Sequence, residues 1–132
     1  MTPSRHVSVG IAALAERVYA YAVDPAHLPA WAAGLASSTV ERVDGAWVAE
    51  SPMGRVRIAF APPNELGVLD HVVTLPGGEE VLNPMRVLPD GDGCEVVFTV
   101  RHRAGKSEEE FESDCRAVLT DLERLRHLLE EG

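Results

Sequence analysis

The stretch Ser107-Glu-Glu-Glu-Phe-Glu-Ser-Asp-Cys-Arg-Ala-Val-Leu-Thr-Asp-Leu-Glu-Arg-Leu-Arg-His-Leu-Leu-Glu-Glu131 reads as one long helix with an apolar face that needs a cover. Ser107 and Glu110 have the spacing of a capping box, in which each side chain accepts from the other residue's backbone N–H. The acidic first turn suits the positive end of the helix dipole, and Arg124, Arg126 and His127 lie near the negative end. Phe111, Cys115, Val118, Leu122, Leu125 and Leu129 recur at helical spacing and form one face. Ser107 to Glu131 spans about 37 Å at 1.5 Å per residue.

The chain before this helix supplies the cover. From Ser37 to Arg103 the apolar pattern has period two, the mark of strands. Expected strands are Thr39–Val43, Ala46–Ser51, Arg55–Ala61, Leu66–Leu75, Glu80–Leu88 and Cys94–Arg103, separated by Asp44-Gly45, Pro52-Met53-Gly54, Pro62-Pro63-Asn64, Pro76-Gly77-Gly78 and Pro89 to Gly93. Short turns imply an antiparallel meander. Further upstream, His6–Ile11 alternates as a strand and Ala12–Ala22 has a helical apolar face. Asp24-Pro25 breaks that helix, and Ala26–Ala33 forms a second short one ending at Gly34. The expected fold is α+β: a curved seven-stranded antiparallel sheet around the C-terminal helix, with two short helices after the first strand.

The 132 residues make one domain, 1–132, large enough for a core. With 45% hydrophobic and 25% charged residues the chain is neither disordered nor fibrous. A net charge of −9, from 12 Lys+Arg against 21 Asp+Glu, argues against nucleic acid as a partner. No apolar run is long enough for a membrane span, and no signal-like apolar region follows Arg5. Cys94 and Cys115, isolated and without Cys-x-x-Cys spacing, suit a reducing cytoplasm as free thiols. His6, His27, His71, His102 and His127 show no metal-ligand spacing, so neither a metal nor another cofactor is expected.

This order of elements resembles the helix-grip fold of the START-like or SRPBCC superfamily, which includes polyketide cyclase/dehydrase-like proteins and birch-pollen-allergen-like carriers. Val18-Tyr-Ala-Tyr-Ala-Val-Asp-Pro-Ala-His-Leu-Pro-Ala-Trp31 is similar to the family's apolar helix, Asp-Pro, short helix and Trp, and Asp114 to Glu130 is similar to its last helix. The resemblance implies the fold and a cavity between sheet and helix. It carries no shared catalytic motif.

Strand parity assigns the inward faces. Taking Asp44-Gly45 as a two-residue turn puts Arg42 opposite Trp47 and Val40 opposite Ala49. A turn at Met53-Gly54 puts Trp47, Ala49 and Ser51 opposite Phe60, Ile58 and Val56. Leu69, His71, Val73 and Leu75 share one face, as do Val81, Asn83, Met85 and Val87, and Cys94, Val96, Phe98, Val100 and His102. The expected cross-strand row is His71, Met85, Phe98, with Asn83 diagonal to His71. The polar exceptions on this apolar face are Arg42, Ser51, His71, Asn83 and His102. A buried polar group without a partner costs about 1–3 kcal/mol, so each needs a reason, and a ligand is one.

The candidate ligand-binding residues are therefore Trp47, Phe60, His71, Val73, Asn83, Met85 and Phe98. His71 is also the candidate acid or base, since imidazole titrates near neutrality. A core histidine bonded to Asn83 or to a backbone carbonyl is the simpler alternative. Trp31 either frames a pocket mouth or packs the short helices onto the sheet. The leading function is binding of a small, largely apolar, lipid- or polyketide-like molecule by a cytoplasmic monomer or homodimer. The alternatives are a polyketide cyclase/dehydratase-like enzyme on the same pocket, or a cochaperone-like interaction module with a filled core.

Overall fold

A computed structural model describes residues 1–37 and 39–131; Ser38, inside the expected period-two region, and Gly132 lie outside the described residues. In chain order the elements are β1 (Ser4–Ile11), α1 (Ala15–Ala22), a 3-10 turn (Pro25–His27), α2 (Leu28–Trp31), β2 (Val40–Val43), β3 (Ala46–Ser51), β4 (Gly54–Phe60), β5 (His71–Thr74), β6 (Glu80–Asn83), β7 (Met85–Asp90), β8 (Gly93–Arg101) and α3 (Glu108–Glu131). The arrangement is α+β with a long C-terminal helix, as expected. The single seven-stranded sheet is not what forms. There are two antiparallel sheets, β1-β8-β7 and β2-β3-β4-β5-β6.

Two breaks produce the division. The expected strand Glu80–Leu88 is interrupted at Pro84, which has no N–H to give a ladder. Its residues before the proline pair with β5, and those after it pair with β8. The expected strand Leu66–Leu75 divides likewise. Its first half runs beside β7, through a bridge from Val68 to Arg86 and backbone bonds Leu69 N–H to Met85 O and Val87 N–H to Gly67 O, both 2.9 Å. Only His71–Thr74 joins β4 and β6. Gly67 makes the close approach feasible: its φ is +73°, and a Cβ there would lie 2.2 Å from the Val87 carbonyl oxygen. Asp70 fastens the same junction, accepting from Met85 N–H at 2.9 Å and from Arg86 at 2.8 and 3.1 Å.

Registers confirm Arg42 opposite Trp47 and Val40 opposite Ala49. The next hairpin closes one residue earlier than expected, at Pro52-Met53, which shifts the partners by two, so Trp47 faces Ile58 and Ser51 faces Gly54. Phe60 instead faces His71. The inward faces survive, because a shift of two preserves parity. Arg42 is exposed rather than interior and lies over the Trp47 ring, 5.4 Å from its centroid.

The main core joins Val9, Ile11, Ala49, Val56, Ile58, Leu69, Val73, Met85, Val87 and Val96 of the strand side to Val18, Leu28, Trp31, Leu122, Leu125 and Leu129 of the helices. α3 packs on β1, β8 and α2. Its capping box forms with both bonds in place, Ser107 N–H to Glu110 at 2.9 Å and Glu110 N–H to Ser107 Oγ at 3.1 Å. Arg5 of β1 pairs with both oxygens of Glu112 at 2.7 Å, which ties the start of α3 to the sheet edge. Cys94 and Cys115 are buried free thiols, and burial raises the pKa of both. Among the described residues no helix is long and apolar enough to cross a membrane.

Candidate functional site

His71 begins β5 and, among the described residues, is the one buried polar or charged residue, at 3% exposure. The loop before it sets its position. Asn64 organises that loop: its Oδ1 accepts from Leu66 and Val68 N–H, and its Nδ2 donates to the Pro62 and Val68 carbonyls, all at 3.0 Å. Asn64 N–H in turn donates to the Tyr19 hydroxyl of α1 at 3.1 Å. The fixed loop presents the Leu69 carbonyl oxygen 3.0 Å from His71 Nδ1. A carbonyl only accepts, so Nδ1 carries the proton and Nε2 carries the lone pair. Burial pushes the His71 pKa down, which keeps the ring neutral.

His71 Nε2 makes no hydrogen bond to any described residue. Asn83 stands directly opposite His71, not diagonal to it as expected. No hydrogen bond joins the two side chains, and the Asn83 amide has no partner among the described residues. The expected row is corrected further: Met85 pairs with Phe98, one strand beyond. The Phe60 ring lies 5.0 Å from the imidazole, tilted, and the Phe98 ring lies 5.8 Å away, edge-on.

The expected site residues separate into three groups. His71, Asn83, Phe60 and Phe98 come together around the imidazole. Phe60, Asn83 and Phe98 are only half-buried although they occupy inward positions, and so are Val81 of β6 and Val118 of α3, which sequence reasoning did not single out. Val73 and Met85 are fully buried and belong to the main core. Trp47 lies apart, in a cleft of about 610 Å³ that it shares with Val23, Pro25, Ile58, Phe60 and Pro62. His71, Val73, Asn83, Met85 and Phe98 do not line that cleft, so Phe60 is the one wall common to the cleft and the imidazole cluster. Trp31 packs into the core, its indole N–H buried without a partner.

Asp70, Arg86 and Arg5 are paired, and Arg42 is exposed. Arg86 holds the Asp70 carboxyl below the usual carboxylate range. Arg5 of β1 is paired with Glu112 of α3. Arg42 lies at the rim. The groups gathered at His71 are thus neutral: one ring acceptor, the Asn83 amide, two aromatic rings and aliphatic side chains.

Comparison with known proteins places this geometry. Solved structures share the fold at low identity. A START superfamily protein from Mycobacterium smegmatis superposes with a TM-score of 0.72 at 14% identity, covering 97% of each chain. Truncated norcoclaurine synthase from Thalictrum flavum gives 0.70 at 16% identity, covering 100% of this chain and 96% of its own. A Deinococcus radiodurans protein, DR_A0006, gives 0.67 at 23% identity, covering 98% and 99%. No curated protein matches the sequence. The profile of one family matches residues 3–130, nearly the whole chain, and so the protein belongs to the polyketide cyclase/dehydrase and lipid transport family.

Proposed function

We propose that the protein binds a small, largely apolar molecule between the β4–β6 surface and α3, around His71 and Asn83. The observation that carries this reading is the juxtaposition of two polar groups without a partner among the described residues, His71 Nε2 and the Asn83 amide, at inward positions where the apolar Phe60, Val81, Phe98 and Val118 stay half-buried. A filled core satisfies its polar groups and covers its phenylalanines. A largely apolar site with a few convergent polar groups is the usual form of a small-molecule site. The family description, which spans polyketide chemistry and lipid transport, fits such an occupant. The buried free thiols of Cys94 and Cys115 support a reducing, cytoplasmic setting.

Thermal shift and native mass spectrometry with uncharged apolar probes, naphthalene and its derivatives first, test the reading. Wild type is expected to bind and to melt higher. Val81→Phe, at a half-buried inward position, should abolish binding with little loss of stability. Val73→Phe is expected to cost about 1–3 kcal/mol, since that site is already packed. If no apolar probe binds wild type, the interaction-module reading replaces this one.

An enzyme on the same pocket is the second reading, and the free lone pair of His71 favours it. Nε2 is placed to take a proton from a bound substrate, with Asn83 orienting a carbonyl. Norcoclaurine synthase, of similar fold, is an enzyme by name. Conversion of a bound polyketide-like substrate, lost in His71→Phe with binding retained, is the expected sign of this chemistry.

A further inference from the structure

We propose that the occupant is a neutral apolar molecule bearing a hydroxyl group, and that this hydroxyl donates to His71 Nε2. The inference rests on the small-molecule reading above and names the chemistry it selects.

The backbone decides which nitrogen faces the ligand as an acceptor. His71 Nδ1–H donates to the Leu69 carbonyl at 3.0 Å, and Asn64 fixes the backbone of the adjacent Val68. A neutral imidazole so fixed offers only a lone pair at Nε2. A ketone, ether, ester or carboxylate brings another lone pair to that atom and leaves both unsatisfied. An alcohol or phenol brings the missing donor. An ammonium group also brings donors, but it would enter an apolar surface where a charge is expensive to desolvate. Neither Arg5 nor Arg42 is available to a carboxylate at His71. Arg5 is engaged with Glu112, and Arg42 stacks over Trp47 on β2, about 14 Å from β5 at about 4.8 Å per strand spacing. The rings of Phe60 and Phe98 on either side of the imidazole supply the apolar walls against which the carbon skeleton beside the hydroxyl packs. The Asn83 amide, opposite His71, is left for a second oxygen of the ligand, as donor or acceptor.

The test compares 2-naphthol, 2-methoxynaphthalene and 2-naphthoate by isothermal titration calorimetry at pH 8. All three share one skeleton. The methyl ether buries the most apolar surface, so hydrophobicity alone favours it over the naphthol. The expected result is the reverse, with 2-naphthol about five- to tenfold tighter than the ether, the equivalent of one hydrogen bond, and 2-naphthoate weakest. In His71→Phe the naphthol-to-ether ratio should fall to one or below while ether affinity is kept. Should that variant not fold, the wild-type series decides alone. If the ether or the naphthoate binds wild type as well as the naphthol, the hydroxyl inference is overturned and the apolar site stands. A naphthol preference that survives in His71→Phe also overturns it, because the donor then bonds elsewhere. If no member of the series binds, the small-molecule reading itself fails.

Discussion

His71 combines a titratable ring with near-complete burial, and that combination has a measurable consequence. Its pKa in the folded protein lies below the ordinary value of about 6.5. As pH falls below that value the unfolded chain binds a proton that the folded chain refuses, so stability declines until the folded pKa is reached. Wild type should therefore lose stability between about pH 7 and pH 5, and His71→Phe should lose less over the same interval. Urea-unfolding free energies at three pH values give both slopes, and equal slopes would mean that the ring is not held neutral. Asn64 is a second residue whose role is concrete. Asn64→Ala removes four side-chain hydrogen bonds from the loop that presents Leu69, and a loss of about 2 kcal/mol or more is expected, with disturbed binding around His71. Parity alone brought His71, Asn83 and Phe98 to the inner face. The bond from His71 to Leu69 was beyond parity, since it depends on a loop whose only visible signal was Pro62-Pro63-Asn64.

α3 was legible almost to the residue, because capping and a helical apolar stripe are local signals. Leu122 is completely buried at the middle of that stripe. Leu122→Asp should cost more than about 3 kcal/mol, enough to unfold a marginally stable domain, by placing a carboxylate where no partner waits. A urea midpoint close to wild type would show that the helix does not dock as described. Ser107→Ala should cost about 1 kcal/mol through loss of the cap alone, leaving the sheet unaffected. The strands were legible in face but not in pairing. A hairpin turn one residue longer or shorter alters which residues stand opposite, and the composition of Pro52-Met53-Gly54 allows either closure. Pro84 was visible as a defect in the ladder. Its consequence, transfer of one strand from a five-stranded to a three-stranded sheet, depends on Gly67–Leu69 crossing at the same place, and that is a long-range event.

The two sheets give the molecule a firm half and a looser half. β8 lies between β1 and β7 and beneath α3, with bonds on both sides and the helix across its face. β2 and β6 are four-residue edge strands with half or more of their residues exposed, and Leu82 of β6 is 51% exposed. Local opening follows the distribution of buried contacts, so amide exchange should be slowest in β8 and fastest among the strands in β2 and β6. On the proposed reading, an apolar guest at His71 adds a link between β5, β6 and α3, whereas α3 itself packs on β1, β8 and α2. It should slow exchange in His71–Thr74, in Glu80–Asn83 and around Val118, while β1 and β8 change little because they are already held. Hydrogen exchange read by mass spectrometry, with and without 2-naphthol, distinguishes the two halves. Protection gained mainly at Trp47 and Pro62-Pro63 would move the site to the open cleft. Protection spread evenly over both sheets would mean that the guest stabilises the fold globally and that the looser half is not a separate unit.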